Sequence, residues 1–144
     1  MKNPLYFEDV VIGQDIPHQV KEPLTTRSVV KWAAAVKDFY EIHYDKDFAR
    51  LMGMPDIIAH GPYKCALLSR LMIEWIGERG KLHKVLCTHK ASNFPGETLV
   101  CKGKVKSKYS KDGKHYVECE LWVENQDGKV AAPGEALVSL PSRG

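Results

Sequence analysis

From His60 to about Glu78 the chain carries an apolar segment that leaves few ways to fold it. His60-Gly61-Pro62 opens the segment, and a proline in the first helical turn gives up no hydrogen bond while presetting φ for the helix. At about 3.6 residues per turn, Cys65, Ala66, Leu67, Leu68, Leu71, Met72, Ile73, Trp75 and Ile76 cover most of the circumference. Lys64, Ser69, Arg70, Glu74 and Glu78 form a narrow polar remainder. A helix this apolar must be nearly enclosed, so the rest of the chain is expected to wrap it.

The material for wrapping lies mainly downstream. Residues 81–92, 98–109, 115–125 and 129–140 read as strands, separated by Phe94-Pro95-Gly96-Glu97, Lys111-Asp112-Gly113-Lys114 and Asn125-Gln126-Asp127-Gly128. Upstream, one strand is expected near residues 16–21. Thr25 and Thr26 then offer an N-cap for an Ala-rich helix ending near Lys37, with Val29, Val30, Ala33, Ala34 and Val36 at helical spacing. Asp45 can cap a short helix through Leu51, which Gly53-Met54-Pro55-Asp56 breaks. One strand, then helices, then four strands predict a single α+β domain over residues 1–144, a five-stranded antiparallel sheet around the central helix. A single sheet covers that helix on one side, so its other flank calls for a second subunit.

The third and fourth strands test the register. Lys102, Lys104, Lys106 and Lys108 share one face, as do Glu118, Glu120, Trp122 and Glu124. A two-residue Asp112-Gly113 hairpin pairs Lys106 with Cys119 and puts the polar faces out of phase. A three-residue loop, 111–113 with Gly113 left-handed, pairs Lys106 with Glu118 and Lys104 with Glu120. The three-residue loop is predicted, and the lysines then form a charge-paired, solvated surface rather than a phosphate site.

Composition narrows the function. With 144 residues, 44% hydrophobic and 27% charged, the chain suits one globular domain with no separate cofactor domain. A net charge of +3 is too weak to argue for nucleic acid. Cys65, Cys87, Cys101 and Cys119 are scattered in apolar segments without a CxxC pair, which reads as reduced, buried thiols. Cys87 and His89 lack a second pair at ligand spacing, so no metal is expected. Residues 1–9 lack a signal-peptide profile, and the apolar runs fall short of the ~18 residues of a membrane span. A cytoplasmic location and no membrane contact are expected.

Chemistry-bearing residues concentrate between Asp38 and Gly61. Asp38 ends the Ala-rich helix and His43 follows past an irregular bend, so a carboxylate and an imidazole can converge on one pocket. The N–H of Gly61 sits unpaired at the positive end of the central helix, where it suits a developing oxyanion. The residues alone equally allow a helix-end aspartate, a structural histidine and a tight-turn glycine.

Spacing adds a resemblance. The chain resembles the MaoC-like (R)-specific enoyl-CoA hydratases and dehydratases of the hot-dog fold. Their pattern runs Gly-Asp-x-Asn-Pro-(Ile/Leu)-His-x-Asp, an Ala six residues after the His, and His-Gly opening the central helix. Asp38, Ile42, His43, Asp45, Ala49 and His60-Gly61 stand at the matching positions. The similarity extends through Leu5-Tyr6-Phe7-Glu8-Asp9, Trp75-Ile76-Gly77 and Phe94-Pro95-Gly96-Glu97-Thr98, and so covers residues 5–140.

The resemblance implies that Asp38 and His43 are the catalytic acid–base pair and that the Gly61 N–H holds the thioester oxygen. It implies no cofactor and no metal, CoA being part of an acyl-CoA substrate. It also implies a homodimer, or a heteromer with another hot-dog subunit, with the site near the interface. Lys37, Tyr40 and Glu41 stand where the family has Gly, Asn and Pro. The Asn helps shape the substrate site, so Tyr40 is the expected substrate-binding counterpart. The Asp-Phe-x-x-(Ile/Val)-His-x-Asp variant found here is similar to that of members acting on bulky, ring-containing acyl groups, several of which work only as half of a heteromer.

The expected reaction is reversible hydration of a trans-2-enoyl-CoA or dehydration of an (R)-3-hydroxyacyl-CoA. The alternatives are a hot-dog acyl-CoA thioesterase and a non-catalytic acyl-CoA-binding subunit. His60 is expected to fix the helix start, Asp45 to cap a helix, and His83 and His89 to be satisfied interior or interface groups.

Overall fold

Thr25 shows how local chemistry places the elements. In the computed structural model, which describes residues 3–144, its side chain accepts from the Ser28 N–H (3.0 Å) and its own N–H donates to Ser28 Oγ (2.9 Å). This reciprocal cap starts helix α1, Thr26–Val36. Strand β1, Asp15–Val20, precedes it; a 3₁₀ turn, Glu41–His43, and helix α2, Lys46–Leu51, follow. Asp45 caps α2 as expected, Oδ1 accepting from the Asp47 and Phe48 N–H groups at 3.0 Å each. Met1 and Lys2, part of the expected domain, lie outside the described residues.

Helix α3, Gly61–Ile76, starts where Pro62 predicts and stops at Gly77, two residues short of the expected end. Its Leu67, Leu68, Leu71, Met72 and Ile76 are buried against sheet residues such as Val105, Val117, Leu121 and Val138. Burial of each such side chain stabilises the fold by roughly 1.5–3 kcal/mol. The far flank is open: Ile73 is 55% exposed, beside an Arg70–Glu74 ion pair at 2.7 Å.

Four strands follow, β2 (Lys81–Cys87), β3 (Val100–Lys111), β4 (Lys114–Glu124) and β5 (Val130–Leu140). They form one sheet with β1 in the order β1-β3-β4-β5-β2, every neighbouring pair antiparallel. The five-stranded α+β sheet around a central apolar helix is the expected architecture. β2 ends five residues before the expected Ser92, although the Thr88 and Lys90 N–H groups still donate to Pro133 O and Ala131 O at 2.8 Å each.

The β3–β4 hairpin corrects the expected loop. Lys111 pairs with Lys114 across a two-residue turn in which Asp112 (φ 52°) and Gly113 (φ 71°) are both left-handed. That turn matches the strand twist, and Asp-Gly tolerates it best. The phase is restored inside the strand: Val105 pairs with Cys119 and Ser107 with Glu118, leaving Lys106 in a bulge. Lys104 therefore faces Glu120 as predicted, but Ser107 rather than Lys106 faces Glu118. The bulge also rotates Lys108 opposite buried Val117, where Nζ donates to the carbonyls of Phe7 (3.0 Å) and Val10 (2.7 Å) and lies 4.5 Å from the Phe7 ring centroid.

All four cysteines are free. Burial pushes the Cys101 thiol up to about 11 and that of Cys119 to about 12. Among the described residues, no helix is long and apolar enough to cross a membrane.

Candidate active site

Asp38 is placed by the end of α1. Lys37 adopts the left-handed conformation (φ 57°), its N–H reaches back to Ala34 O (3.4 Å), and the Asp38 N–H reaches Ala33 O (3.0 Å). This double closure reverses the chain and projects Asp38 from the helix end. The resemblance has glycine at Lys37, the residue a left-handed position favours. The Asp38 carboxylate is half exposed and accepts from the Tyr40 N–H (3.3 Å).

His43 is placed by the 3₁₀ turn and by its pairing with residue 58. The Ile58 N–H donates to Ile42 O (3.2 Å), and His43 Nδ1 donates to Ile58 O (2.7 Å). A carbonyl only accepts, so Nδ1 carries the hydrogen and Nε2 of the neutral ring carries the lone pair. The His43 ring is buried, with Nε2 4.0 Å from Asp38 Oδ2. That gap is too long for a direct hydrogen bond, yet both atoms can reach one water lying off the line between them.

His60 departs from its expected role. It is the N-cap residue of α3, but its side chain makes no capping bond. Its ring instead stacks on His43, centroids 3.5 Å apart and planes within 20°. Nε2 donates to Asp38 O (3.3 Å) and lies 3.6 Å from Asp38 Oδ2, while Nδ1 is buried without a partner. Burial holds its pKa below the ordinary value. Its sequence signal was the match of His60-Gly61 to the His-Gly that opens the central helix in the resembling family. Asp38, His43 and His60 bring donor atoms within 4.8 Å of one another. Each ring commits one nitrogen to a carbonyl, which leaves the His43 lone pair on Nε2 facing Asp38 and the His60 lone pair on the buried, unpartnered Nδ1. A tetrahedral metal with bonds of about 2.0–2.1 Å needs convergent donors; this arrangement suits proton transfer better.

Gly61 opens α3, so its N–H has no intrahelical partner. A Cβ built on Gly61 lies 2.7 Å from His89 Cδ2, so the imidazole occupies the space a side chain would need. An open groove of about 360 Å³ runs here, lined by Ile58, Gly61, Lys64, His89, Lys90 and Ser92 among others. Asp38 and His43 are outside that lining. The site therefore joins Asp38 and His43 directly, whereas Gly61 connects to them through the neighbouring His60 ring and through Ile58. Lys64, assigned to the polar side by its helical position, is 2% exposed. Tyr40 is half exposed, its ring edge-on to His43 (6.2 Å) and Phe48 (5.7 Å). His83 is exposed and paired with Ser139 Oγ (2.8 Å) rather than interior.

Solved structures share this architecture. The (R)-hydratase from A. caviae involved in PHA biosynthesis is 24% identical, with 93% of this chain and 99% of that one covered and a TM-score of 0.82. R-hydratase PhaJ1 from Pseudomonas aeruginosa is 23% identical over 97% of this chain and 88% of that one, with a TM-score of 0.85. A chain of the ChsH1–ChsH2 complex from Mycobacterium tuberculosis is 21% identical over 90% of this chain and 98% of that one, with a TM-score of 0.79. At such identities the likeness is one of fold, and the fold is the hot-dog. No curated protein sequence matches the chain. The MaoC like domain matches residues 8–126, well over half of the sequence, and with the hot-dog architecture around α3 this makes the chain a member of the MaoC-like domain family.

Proposed function

We propose that this chain is a hydro-lyase acting on acyl-CoA thioesters, hydrating a trans-2-enoyl-CoA or, in reverse, dehydrating an (R)-3-hydroxyacyl-CoA. The observation that carries the reading is the His43 imidazole. Its Nδ1–H is committed to Ile58 O, and its basic Nε2 faces the Asp38 carboxylate across 4.0 Å. The (R)-hydratases of the same fold support hydration with (R) stereochemistry, and the acyl-CoA substrate is what the resemblance to the MaoC-like hydratases implies.

In the hydration direction, His43 Nε2 takes a proton from a water that Asp38 holds by its second hydrogen. The water oxygen bonds to C3, and the C2–C3 π pair moves toward the thioester, leaving charge on its oxygen. The Gly61 N–H, at the positive end of α3, stabilises that charge. The acid–base pair then returns the proton to C2, so water is added with no other reactant. Tyr40 and Glu41, in place of the family's Asn and Pro, favour a bulky or unusual acyl group, with Tyr40 walling the substrate beside His43. A second hot-dog subunit completes the unit: Phe39 beside Asp38 (56% exposed) and Leu51 (82%) and Met52 (50%) at the end of α2 leave apolar surface for it to cover, and one similar chain was solved within the ChsH1–ChsH2 complex.

The test is a panel of straight-chain, aromatic and alicyclic enoyl-CoAs, followed by loss of conjugation and by release of free thiol. Hydration without thiol release, abolished by Asp38→Asn and His43→Gln, is the expected result. Thiol release indifferent to His43→Gln would make the chain a thioesterase. Silence toward every substrate, with and without a hot-dog partner, would make it a binding subunit.

A further inference from the structure

Among the described residues Lys64 is the largest fully buried side chain, 2% exposed, one turn of α3 beyond Gly61. Lysine is almost never buried to this degree without a paired charge. Here Nζ donates to two uncharged acceptors, Ala91 O (2.7 Å) and Asn93 Oδ1 (3.2 Å), and among the described residues it has no ion-pair partner. A neutral side chain would serve those acceptors at lower cost in desolvation. The charge itself therefore calls for an explanation.

Its surroundings point toward the oxyanion end of α3. Helical side chains slant toward the N-terminus, so Lys64 leans back toward Gly61, and both residues line the same groove. The segment that Nζ anchors, residues 89–93, carries His89, whose ring fills the space a side chain at Gly61 would take. Asn93 in turn accepts the Ala59 N–H at its carbonyl (2.9 Å), tying the same segment to the strand of chain that bears His60.

We infer that Lys64 is a positioning residue for the thioester oxyanion, its buried charge adding to the positive end of α3 at Gly61 and its two hydrogen bonds holding the His89 segment against that end. The inference rests on the proposed thioester chemistry and names a residue that chemistry does not require. The attraction between this charge and the thioester oxygen grows as the oxyanion develops, so it acts on the transition state more than on bound substrate. Burial holds the Lys64 pKa below the ordinary lysine value, and burial together with the neighbouring Lys64 lowers that of His89.

The experiment reads the thioester directly. Saturated, unreactive butyryl-CoA and cyclohexanecarboxyl-CoA, labelled with ¹³C at the carbonyl, are bound to wild type and to Lys64→Gln, which keeps a donor and removes the charge. In wild type the carbonyl stretch is expected to fall relative to free ester, and in Lys64→Gln at least half of that fall is lost. With reactive enoyl-CoA, kcat falls about tenfold while KM stays within threefold, less than the ~10²–10³ of a direct donor. Lys64→Met carries the test if the glutamine variant melts below assay temperature. An unchanged carbonyl stretch in a folded variant, or no lowering in wild type, overturns the inference. A Lys64-dependent stretch in a protein that hydrates nothing upholds it and sinks the proposed reaction instead.

Discussion

His43 and His60 lie face to face, ring centroids 3.5 Å apart, with both Nε2 atoms directed at the Asp38 carboxylate, at 4.0 and 3.6 Å. The two imidazoles are not equivalent. His60 is sealed from solvent and commits Nε2 to Asp38 O, whereas His43 commits Nδ1 to Ile58 O and leaves Nε2 facing the Asp38 carboxylate. One ring serves as the platform on which the other is held.

Asp38→Asn is expected to lower kcat for hydration by about 10²–10⁴ with little change in melting temperature, since that carboxylate is half exposed. His43→Gln should cost a similar factor in rate and also some stability, because it breaks the bond to Ile58 O. Steady-state kinetics beside thermal melts separate the two effects.

The His60 environment sets a pH dependence of stability. Burial lowers its pKa from 6.5, so below that pH the unfolded chain takes up a proton that the folded chain refuses. The contribution is complete above pH 6.5 and is lost as the pH falls from there toward the lower folded value. Melting temperature should decline across that window, and His60→Gln should flatten the decline, with the residual slope coming from His89, whose pKa is lowered in the same direction.

Lys37→Gly should stabilise the protein. A left-handed lysine costs about 1–2 kcal/mol, and the greater freedom of glycine in the unfolded chain offsets about 0.5–1 of that. A net gain of about 0.5–1 kcal/mol is expected in urea unfolding. A loss would show that the Lys37 side chain contributes something its backbone does not.

Tyr40→Asn restores the family's residue beside His43. It should move kcat/KM toward short straight-chain enoyl-CoAs over ring-containing ones by about tenfold, within the range that one reshaped pocket contact commands. A parallel loss on every substrate would instead assign Tyr40 to general support of the site.

The lysines of β3 should separate by face. Lys108→Ala removes two charge-assisted bonds to carbonyls and a contact with the Phe7 ring, so a loss of about 2 kcal/mol is expected in denaturant unfolding. Lys104→Ala removes only an exposed pair with Asp15 at 3.5 Å and should change stability by less than about 0.5 kcal/mol.

Much of this arrangement was legible in the residues. The all-round apolar pattern of residues 61–76 demanded an enclosing sheet, Thr25 and Asp45 announced their caps, and the order of strand and helix signals implied the topology. Spacing singled out Asp38, His43 and Gly61 as candidates, and of these the fold brings the side chains of Asp38 and His43 within 4.0 Å of each other. All of these are local properties, set by side-chain periodicity and by the hydrogen bonds a residue makes within a few positions of itself.

What escaped that reading depends on partners far along the chain. The hairpin phase was settled by a bulge at Lys106, because the left-handed Asp-Gly turn fits the twist of the strands and the mismatch is cheaper to absorb inside the ladder. Lys64 became interior because residues 91 and 93 bring acceptors to its ammonium, and helical position alone carries no sign of them. His60 faces His43 because Ile58 pairs with Ile42 across fifteen or so residues and brings the two rings into register. The sequence by itself determined the elements and the chemical inventory of the site. Which imidazole is free, which lysine is buried and which face each strand presents were decided only by tertiary packing, where the need to satisfy every enclosed polar group overrides local pattern.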